Sequence, residues 1–409
     1  LLPILYFLNK SKFNKFKITL VILENEARYK KNIDKRLSYL FKFKNLNIKF
    51  LYKNNTLFKI KQLLDLNENQ LFVKYINRLF HKFYLQYISS KIKNLNFNNL
   101  VGKVFSKSKY PLIFTLHSNY KLEVLVNNLK KINNKAKWVV LPHGTLIANN
   151  KMLIDTDLNK KEVTKSKNKN SKFDFYLYTS KYDVNIKALS KNERKKYFLI
   201  GSPRYCEEWL KTKSNLGLDG KVFLKNKNNK IKALFFLPKR NANIFWDEVI
   251  RTIDFISSYQ KIELIILNYN SNFPKFPDYL KKKSNIKFFL ISREYSTSKL
   301  IEWSDVIFHS GSSVIFEFFL KDKISIFLRY LTCNTLISDK YNSGLNLSNR
   351  DELRFFCNSV VSSLKKVKKD YKYKSSSANK KFINDFVSVN SKSVPENIKK
   401  CIYKISKTF

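Results

Sequence analysis

The sequence predicts an α/β protein built from two Rossmann-like domains, and three observations carry that prediction. Short runs rich in Ile, Val, Leu and Phe alternate with longer stretches whose apolar residues recur every three or four positions. That is the pattern of parallel strands joined by crossover helices. The chain has 409 residues, more than one core of ordinary size uses, so two domains follow. A polar stretch at 211–230 (KTKSNLGLDGKVFLKNKNNK), with two of the seven glycines, divides the series. The division is 1–210, a linker at 211–230, a second domain at 231–370 and a helical segment at 371–409.

In the first half, Phe16–Leu23, Asn47–Leu51, Leu112–Leu116, Lys137–Leu141, Phe173–Thr179 and Tyr197–Ile200 read as strands. Glu26–Phe43 and Asn67–Ile92 carry helical spacing, and the lysine-rich 157–172 reads as a loop. The second half reads as a doubly wound series. Its strands are Lys232–Leu237, Ile262–Leu267, Ile286–Ile291, Val306–Phe308 and Ile324–Leu328, and its helices are Ile244–Tyr259, Thr297–Trp303 and Ser312–Leu320. Helices Asp351–Lys368 and Asn379–Ile405 close the chain.

Lys and Arg total 79 against 31 acidic residues, a formal net charge of +48. The excess is 68 lysines and only 11 arginines, spread through every segment. Specific nucleic-acid readers lean on the bidentate fork of arginine, so nucleic acid is not the expected partner. Attraction to an anionic membrane surface or an acidic substrate fits the lysines better. Cys206, Cys333, Cys357 and Cys401 show no CxxC pairing, and the four histidines show no HxxxH or HExxH spacing, so neither metal nor cofactor is expected. The apolar opening LLPILYFL has no basic leader before it, and no apolar run approaches the ~18 residues of a membrane span. A cytoplasmic protein, peripheral at the inner face of the membrane, is the expectation.

The most informative stretch is Trp303 to Phe318 (WSDVIFHSGSSVIFEF). A strand runs into His309-Ser310-Gly311-Ser312-Ser313, and a helix is predicted to open at the paired serines. Backbone N–H groups, hydroxyls and the positive end of a helix dipole would then converge on an anion. Glu317, one helical turn past Ser313, could accept hydrogen bonds from sugar hydroxyls, as could His309 beside it. The same spacing also suits serines that merely cap the helix. Lys239 and Arg240, after the strand at 232–237, add cations. His143, in Leu141-Pro142-His143-Gly144-Thr145, ends a strand and suits a general base, or a histidine that only bonds within its turn. His117, Arg204 and Arg293 also stand at strand ends or turns and could line the same cleft, although a surface ion pair is the plainer role for each arginine. The turn Gly201-Ser202-Pro203-Arg204-Tyr205 either binds an anion or ends the domain.

These residues carry a resemblance. Ser304-Asp305-Val306-Ile307, Ser312-Ser313 with Phe316-Glu317, and Lys323 to Phe327 resemble the donor-site segment of the CDP-glycerol glycerophosphotransferase family and related bacterial surface (capsular) polysaccharide transferases. His143-Gly144-Thr145 resembles its His-Gly-Thr element, and the turn at 201–204 an element of related capsule proteins. The resemblance implies a GT-B-type arrangement with an interdomain cleft, an acceptor-side first domain and a nucleotide-donor-binding second domain. It implies His143 as base, Ser312 and Ser313 at the donor phosphates, and Glu317 at the ribose; Lys239, Arg240 and Gly311, from their own places at the strand ends, would join the serines at the phosphates. The donor would be CDP-, UDP- or CMP-linked, and the acceptor a glycan or a lipid-linked chain. Two departures stand out: Asn268-Tyr269-Asn270 replaces the family's His-Pro pair, and His309-Ser310-Gly311 replaces its Asp-Tyr, so transfer of glycerol phosphate is not implied. Two other readings remain open. One is an enzyme like UDP-N-acetylglucosamine 2-epimerase, and the other a non-catalytic basic binding protein on a decayed transferase fold.

Overall fold

The structure, a computed structural model, describes residues 2–10, 18–25, 46–52, 112–115, 133–142, 148–150, 173–180, 189–215, 229–238, 244–268, 276–290, 297–389 and 393–408, with positions 39, 130 and 183. In chain order the strands are β1 (Ile18–Asn25), β2 (Leu46–Tyr52), β3 (Leu112–Thr115), β4 (Lys137–Val140), β5 (Ala148–Asn150), β6 (Phe175–Tyr178), β7 (Tyr197–Leu199), β8 (Ile231–Phe236), β9 (Ile262–Asn268), β10 (Ile286–Leu290), β11 (Val306–His309), β12 (Ile324–Leu328), β13 (Asn334–Leu336) and β14 (Leu345–Leu347). The helices are α1 (Leu2–Lys10), α2 (Lys191–Arg194), α3 (Glu207–Asn215), α4 (Trp246–Ser257), α5 (Asp278–Lys281), α6 (Thr297–Trp303), α7 (Ile315–Leu320), α8 (Arg350–Ile383) and α9 (Val394–Ser406). The helices expected at 26–43 and 67–92, and the loop at 157–172, lie outside the described residues.

Two compact units emerge. One takes Leu1–Leu141, Asn170–Leu177 and Lys399–Phe409, the other Pro142–Lys169 and Tyr178–Ile398. In the first, β1 pairs with β2 and β3 with β4, which pairs with β6, all parallel. Asp174, just before β6, accepts the Trp138 N–H at 2.8 Å and pairs with Lys130 at 3.1 Å. That carboxylate fixes the start of β4 against β6.

The second unit holds a six-stranded sheet in the order β10-β9-β8-β11-β12-β14, with every pair parallel. Its central strands are buried on both faces, which is why they read as unbroken apolar runs rather than alternating ones. Helix α4 supplies one covering layer. Val249, Thr252, Ile253, Ile256 and Ser257 are buried at helical spacing against the sheet. Asp305 joins β8 to β11 at their N-terminal ends: its N–H donates to Lys232 O at 2.7 Å and its carboxylate accepts the Lys232 N–H at 3.0 Å. Lys368 of α8 caps the same carboxylate at 2.6 Å. The aspartate of the Ser-Asp-Val-Ile run therefore acts at the far end of β11 from the serine turn.

Three sequence expectations give way here. Residues 211–215 belong to α3 rather than to a linker, because Trp209 and its turn bury that helix on the unit. The closing helices are not 351–368 and 379–405. Helix α8 runs from Arg350 to Ile383 in two arms that meet at a kink at Ser363 (φ −156, ψ 89), and gives way to a π-helical turn at Asn384–Ser388 before α9. The polar Ser375-to-Asn379 stretch stays helical because Asn379 is used: it accepts the Gly344 N–H at 3.0 Å and donates to the Tyr371 hydroxyl at 3.3 Å. The third expectation, a helix opening at Ser312, is corrected below. Among the described residues no helix is long and apolar enough to cross a membrane.

Candidate functional site

Counting the strands of the second sheet in chain order gives 3-2-1-4-5-6. The order reverses between β8 and β11, and in open parallel sheets ligands bind at the carboxyl ends of the strands at such a reversal. The two strand ends there are register-paired, Phe236 beside His309. The sequence beyond β8 is Leu237-Pro238 followed by Lys239 and Arg240; the sequence beyond β11 is Ser310-Gly311-Ser312-Ser313. Lys239, Arg240, His117, His143 and Arg293 lie outside the described residues, and the geometry below is that of the β11 side.

The turn is set by His309. Its ring is 1% exposed and lies between Phe327 and Phe318, with centroids at 5.8 and 5.6 Å. Nδ1 accepts the Gly311 N–H at 3.3 Å and Nε2 lies 2.9 Å from the Ser325 hydroxyl. An accepting Nδ1 fixes the proton on Nε2, which then donates to Ser325. Burial pushes the imidazole down to about 3, so the ring is neutral through the physiological range. Both nitrogens are thus engaged inside the fold, and the Gly311 N–H is spent on the ring. Gly311 itself takes φ +111, a conformation that favours glycine, and a Cβ there would stand 3.1 Å from Leu336 Cδ2.

Beyond it, the helix does not open at the serines. Ser312 folds back instead: its hydroxyl accepts the Val314 N–H at 3.3 Å and its carbonyl the Ile315 N–H at 3.0 Å. Helix α7 begins only at Ile315 and has six residues. The bond from the Ile315 N–H to a carbonyl three residues back closes a turn, and bonding four residues back begins only with the Phe318 N–H on the Val314 carbonyl. The dipole of so short a helix is a minor contributor. What an anion would meet is the Ser312 and Ser313 N–H groups, which make no hydrogen bond among the described residues. Two further groups are buried without a hydrogen-bond partner among those residues: the Ser310 hydroxyl and Oε1 of Glu317, each residue 5% exposed. Lys321 Nζ stands 3.2 Å from that oxygen and offsets its charge, though out of line for a hydrogen bond. Buried polar atoms left open in this way call for a ligand or ordered water.

The structure brings the two sequence motifs of this unit together. Tyr205, at the end of the Gly-Ser-Pro-Arg-Tyr turn, donates its hydroxyl to Ser313 Oγ at 3.3 Å, and its ring packs on Phe316 at 5.2 Å. Burial raises the phenol above its ordinary value, so it stays a donor. Arg204, exposed, holds its guanidinium 5.2 Å from the Tyr205 ring centroid. Arg329, by contrast, pairs with Asp339 at 3.0 Å, the plain surface role. Tyr205 and Ser310 were not singled out by sequence reasoning. The one signal for Tyr205 was its place in a turn already marked. Tyr205→Phe is expected to lower stability by about 1 kcal/mol. In a double-mutant cycle with Ser313→Ala, measured by urea unfolding, the two losses should not add; additive losses would mean that the hydroxyls are uncoupled.

Three of the four free cysteines, Cys206, Cys357 and Cys401, are buried, and burial raises each thiol. They are packing residues rather than nucleophiles. Among the described residues no group of three or more His, Cys, Asp or Glu could hold a metal ion.

No family model matches the sequence, and no curated protein matches it either. Solved structures do resemble the fold. Arabidopsis thaliana UGT89C1, complexed with UDP-L-rhamnose, is 10% identical with a TM-score of 0.51, over 98% of this chain and 94% of that one. UDP-GlcNAc 2-epimerase from Neisseria meningitidis, bound to UDP-GlcNAc, is 12% identical with a TM-score of 0.47, over 95% of this chain and 100% of that one. The wall teichoic acid polymerase TagF is 13% identical with a TM-score of 0.43, over 82% of this chain and 98% of that one. At such identities a likeness speaks of fold alone. Together with the parallel sheets, the plant structure places this chain in the α/β class with two Rossmann-like domains, of GT-B type.

Proposed function

We propose that the protein is a transferase that moves a sugar or polyol-phosphate from a nucleotide-activated donor to a growing surface glycan or lipid-linked acceptor. The observation that carries the reading is the Ser310–Ser313 turn at the strand-order reversal, with two unengaged N–H groups and a buried, unpartnered hydroxyl. The plant structure of the same fold class holds UDP-L-rhamnose, which supports a nucleotide-linked donor here.

In this reading the Ser312 and Ser313 N–H groups and hydroxyls, with Lys239 and Arg240, hold the donor phosphates. Glu317 accepts from the ribose hydroxyls, and His309 acts by holding the turn. An acceptor hydroxyl attacks the activated carbon or phosphorus of the donor. The new bond forms as the bond to the nucleotide phosphate breaks, His143 takes the hydroxyl proton, and the leaving phosphate carries away the electron pair. Donors aimed at that developing charge do most of the electrostatic work, while the proton transfer contributes about 10²–10⁴-fold.

The test is a panel of CDP-glycerol, UDP-sugars and CMP-linked sugars, read by calorimetric binding and by release of free nucleotide in the presence of lipid-linked glycan. Wild type should bind one donor class and turn it over. His143→Ala should lose at least about 100-fold in turnover with donor binding kept, whereas Ser312→Ala and Ser313→Ala should weaken donor binding by about fivefold each. Full activity in both His143→Ala and Glu317→Ala would sink the assignment of roles. Donor binding without turnover in wild type would leave the reading of a binding protein on a decayed transferase fold.

A further inference from the structure

The second arm of α8, residues 364–383 beyond the kink at Ser363, carries a face that the donor site does not use. At 100° per residue, Lys365, Lys366, Lys369, Lys372, Tyr373 and Lys380 fall within an arc of about 120°. All six are exposed, Tyr373 by 91%. The opposite side, with Tyr371, Ser375 and Phe382, is buried on the unit. Lys368 turns back to Asp305, but the five lysines of the arc make no ion pair among the described residues. The arm contains one acidic residue, Asp370, outside the arc, and no arginine.

A row of ammonium groups this dense repels itself, and nothing described within the fold compensates it. We propose that this face is a docking surface for an anionic lipid bilayer. The chemistry fits that partner better than nucleic acid. Lysine is a strongly hydrated point charge on a flexible stem, suited to a fluid layer of headgroups, while the arginine fork that reads a sugar-phosphate backbone is missing. Tyr373 sits midway along the face, and a phenol ring settles at headgroup depth. With no apolar stripe on this side the helix adsorbs rather than inserts, through attraction that salt screens. The inference stands apart from the donor reading, since it needs no nucleotide and no turnover.

The experiment uses the full chain and co-sedimentation with phosphatidylcholine vesicles, with and without roughly 30% phosphatidylglycerol. Because the whole chain is basic, the control must remove equal charge elsewhere. Lys366→Glu/Lys369→Glu/Lys380→Glu is therefore compared with Lys195→Glu/Lys261→Glu/Lys282→Glu, three exposed lysines that are not on this helix. Wild type should bind anionic vesicles and not neutral ones, with binding lost in high salt. The helix triple variant should lose roughly 100-fold in affinity, the control triple less than about tenfold, and Tyr373→Ser a few-fold. Equal losses in the two triple variants would reduce the effect to bulk charge and overturn the proposal. So would no loss in the helix variant, or a loss seen with single-stranded RNA but not with vesicles. Unchanged thermal unfolding of all three variants guards against misfolding, since every substituted side chain is exposed.

Discussion

A Gly201→Ala variant should be less stable than wild type by at least about 3 kcal/mol, and a fraction of it should fail to fold at 37 °C. Two costs add. Gly201 has φ +83, where any Cβ is strained by about 1–2 kcal/mol. The added Cβ would also stand 2.5 Å from Val387 O and 2.8 Å from Val394 Cγ2. The valine side chain could turn away, but the carbonyl is backbone. It already accepts the Ser202 N–H at 2.9 Å, and it belongs to the π-helical turn in which Phe386 and Val387 are buried. The chain leaves that turn through Val389 at φ 43, a conformation rare for a β-branched residue, so the segment has little room to give. Because Tyr205 hangs from the same turn and donates to Ser313, any donor binding should weaken along with stability. Gly311→Ala makes the contrast: its Cβ would meet only the end of the flexible Leu336 side chain, so the backbone strain alone remains. Urea unfolding of both variants checks this, and a loss below about 1 kcal/mol for Gly201→Ala would mean that Val387 yields.

Acid should destabilise the second unit in a window that His309 defines. Above its ordinary value of 6.5 the imidazole is neutral in folded and unfolded chains alike, and contributes no pH dependence. Below 6.5 the unfolded chain takes up a proton that the buried ring refuses until about pH 3. The unfolded state then binds more protons, so stability falls as pH falls, by up to about 1.4 kcal/mol per unit. From pH 6.5 to 5 the effect is cleanest, because carboxylates are still ionised. Glu302, for one, is held below its ordinary value: burial raises it, but hydrogen bonds from Lys321 and Lys299 outweigh that, and its stabilisation disappears only at lower pH. His309→Asn keeps an acceptor for the Gly311 N–H and removes the titrating ring. The variant should be less stable at neutral pH but should lack this share of the acid slope between pH 6.5 and 5. Parallel wild-type and variant slopes from urea unfolding across that range would show that the ring protonates in place.

The strands of the second sheet were legible in the chain because parallel strands buried on both faces must be apolar from end to end. Ile231–Phe236, Ile262–Asn268 and Ile324–Leu328 stand out for that reason. The His-Ser-Gly-Ser-Ser turn was legible because glycine is scarce here and a positive φ requires it. The three-residue strands Asn334–Leu336 and Leu345–Leu347 are too short to leave such a mark. Nor did the start of α7 leave one, since a serine hydroxyl accepts the N–H two residues on both in a turn and as a cap, and only the backbone bonding tells them apart.

By itself, then, the sequence determined the class of fold, the apolar strands and the polar turn that follows β11. Only the tertiary structure decided that this turn stands where the strand order reverses, that His309 faces inward and spends both nitrogens on holding it, and that Tyr205 reaches Ser313 across 108 residues. The physical reason is one of range. Periodicity records how each segment is buried and which conformations its backbone accepts. Which strands become neighbours, and which way a ring turns, depends on how all the crossovers pack together, and no local pattern carries that.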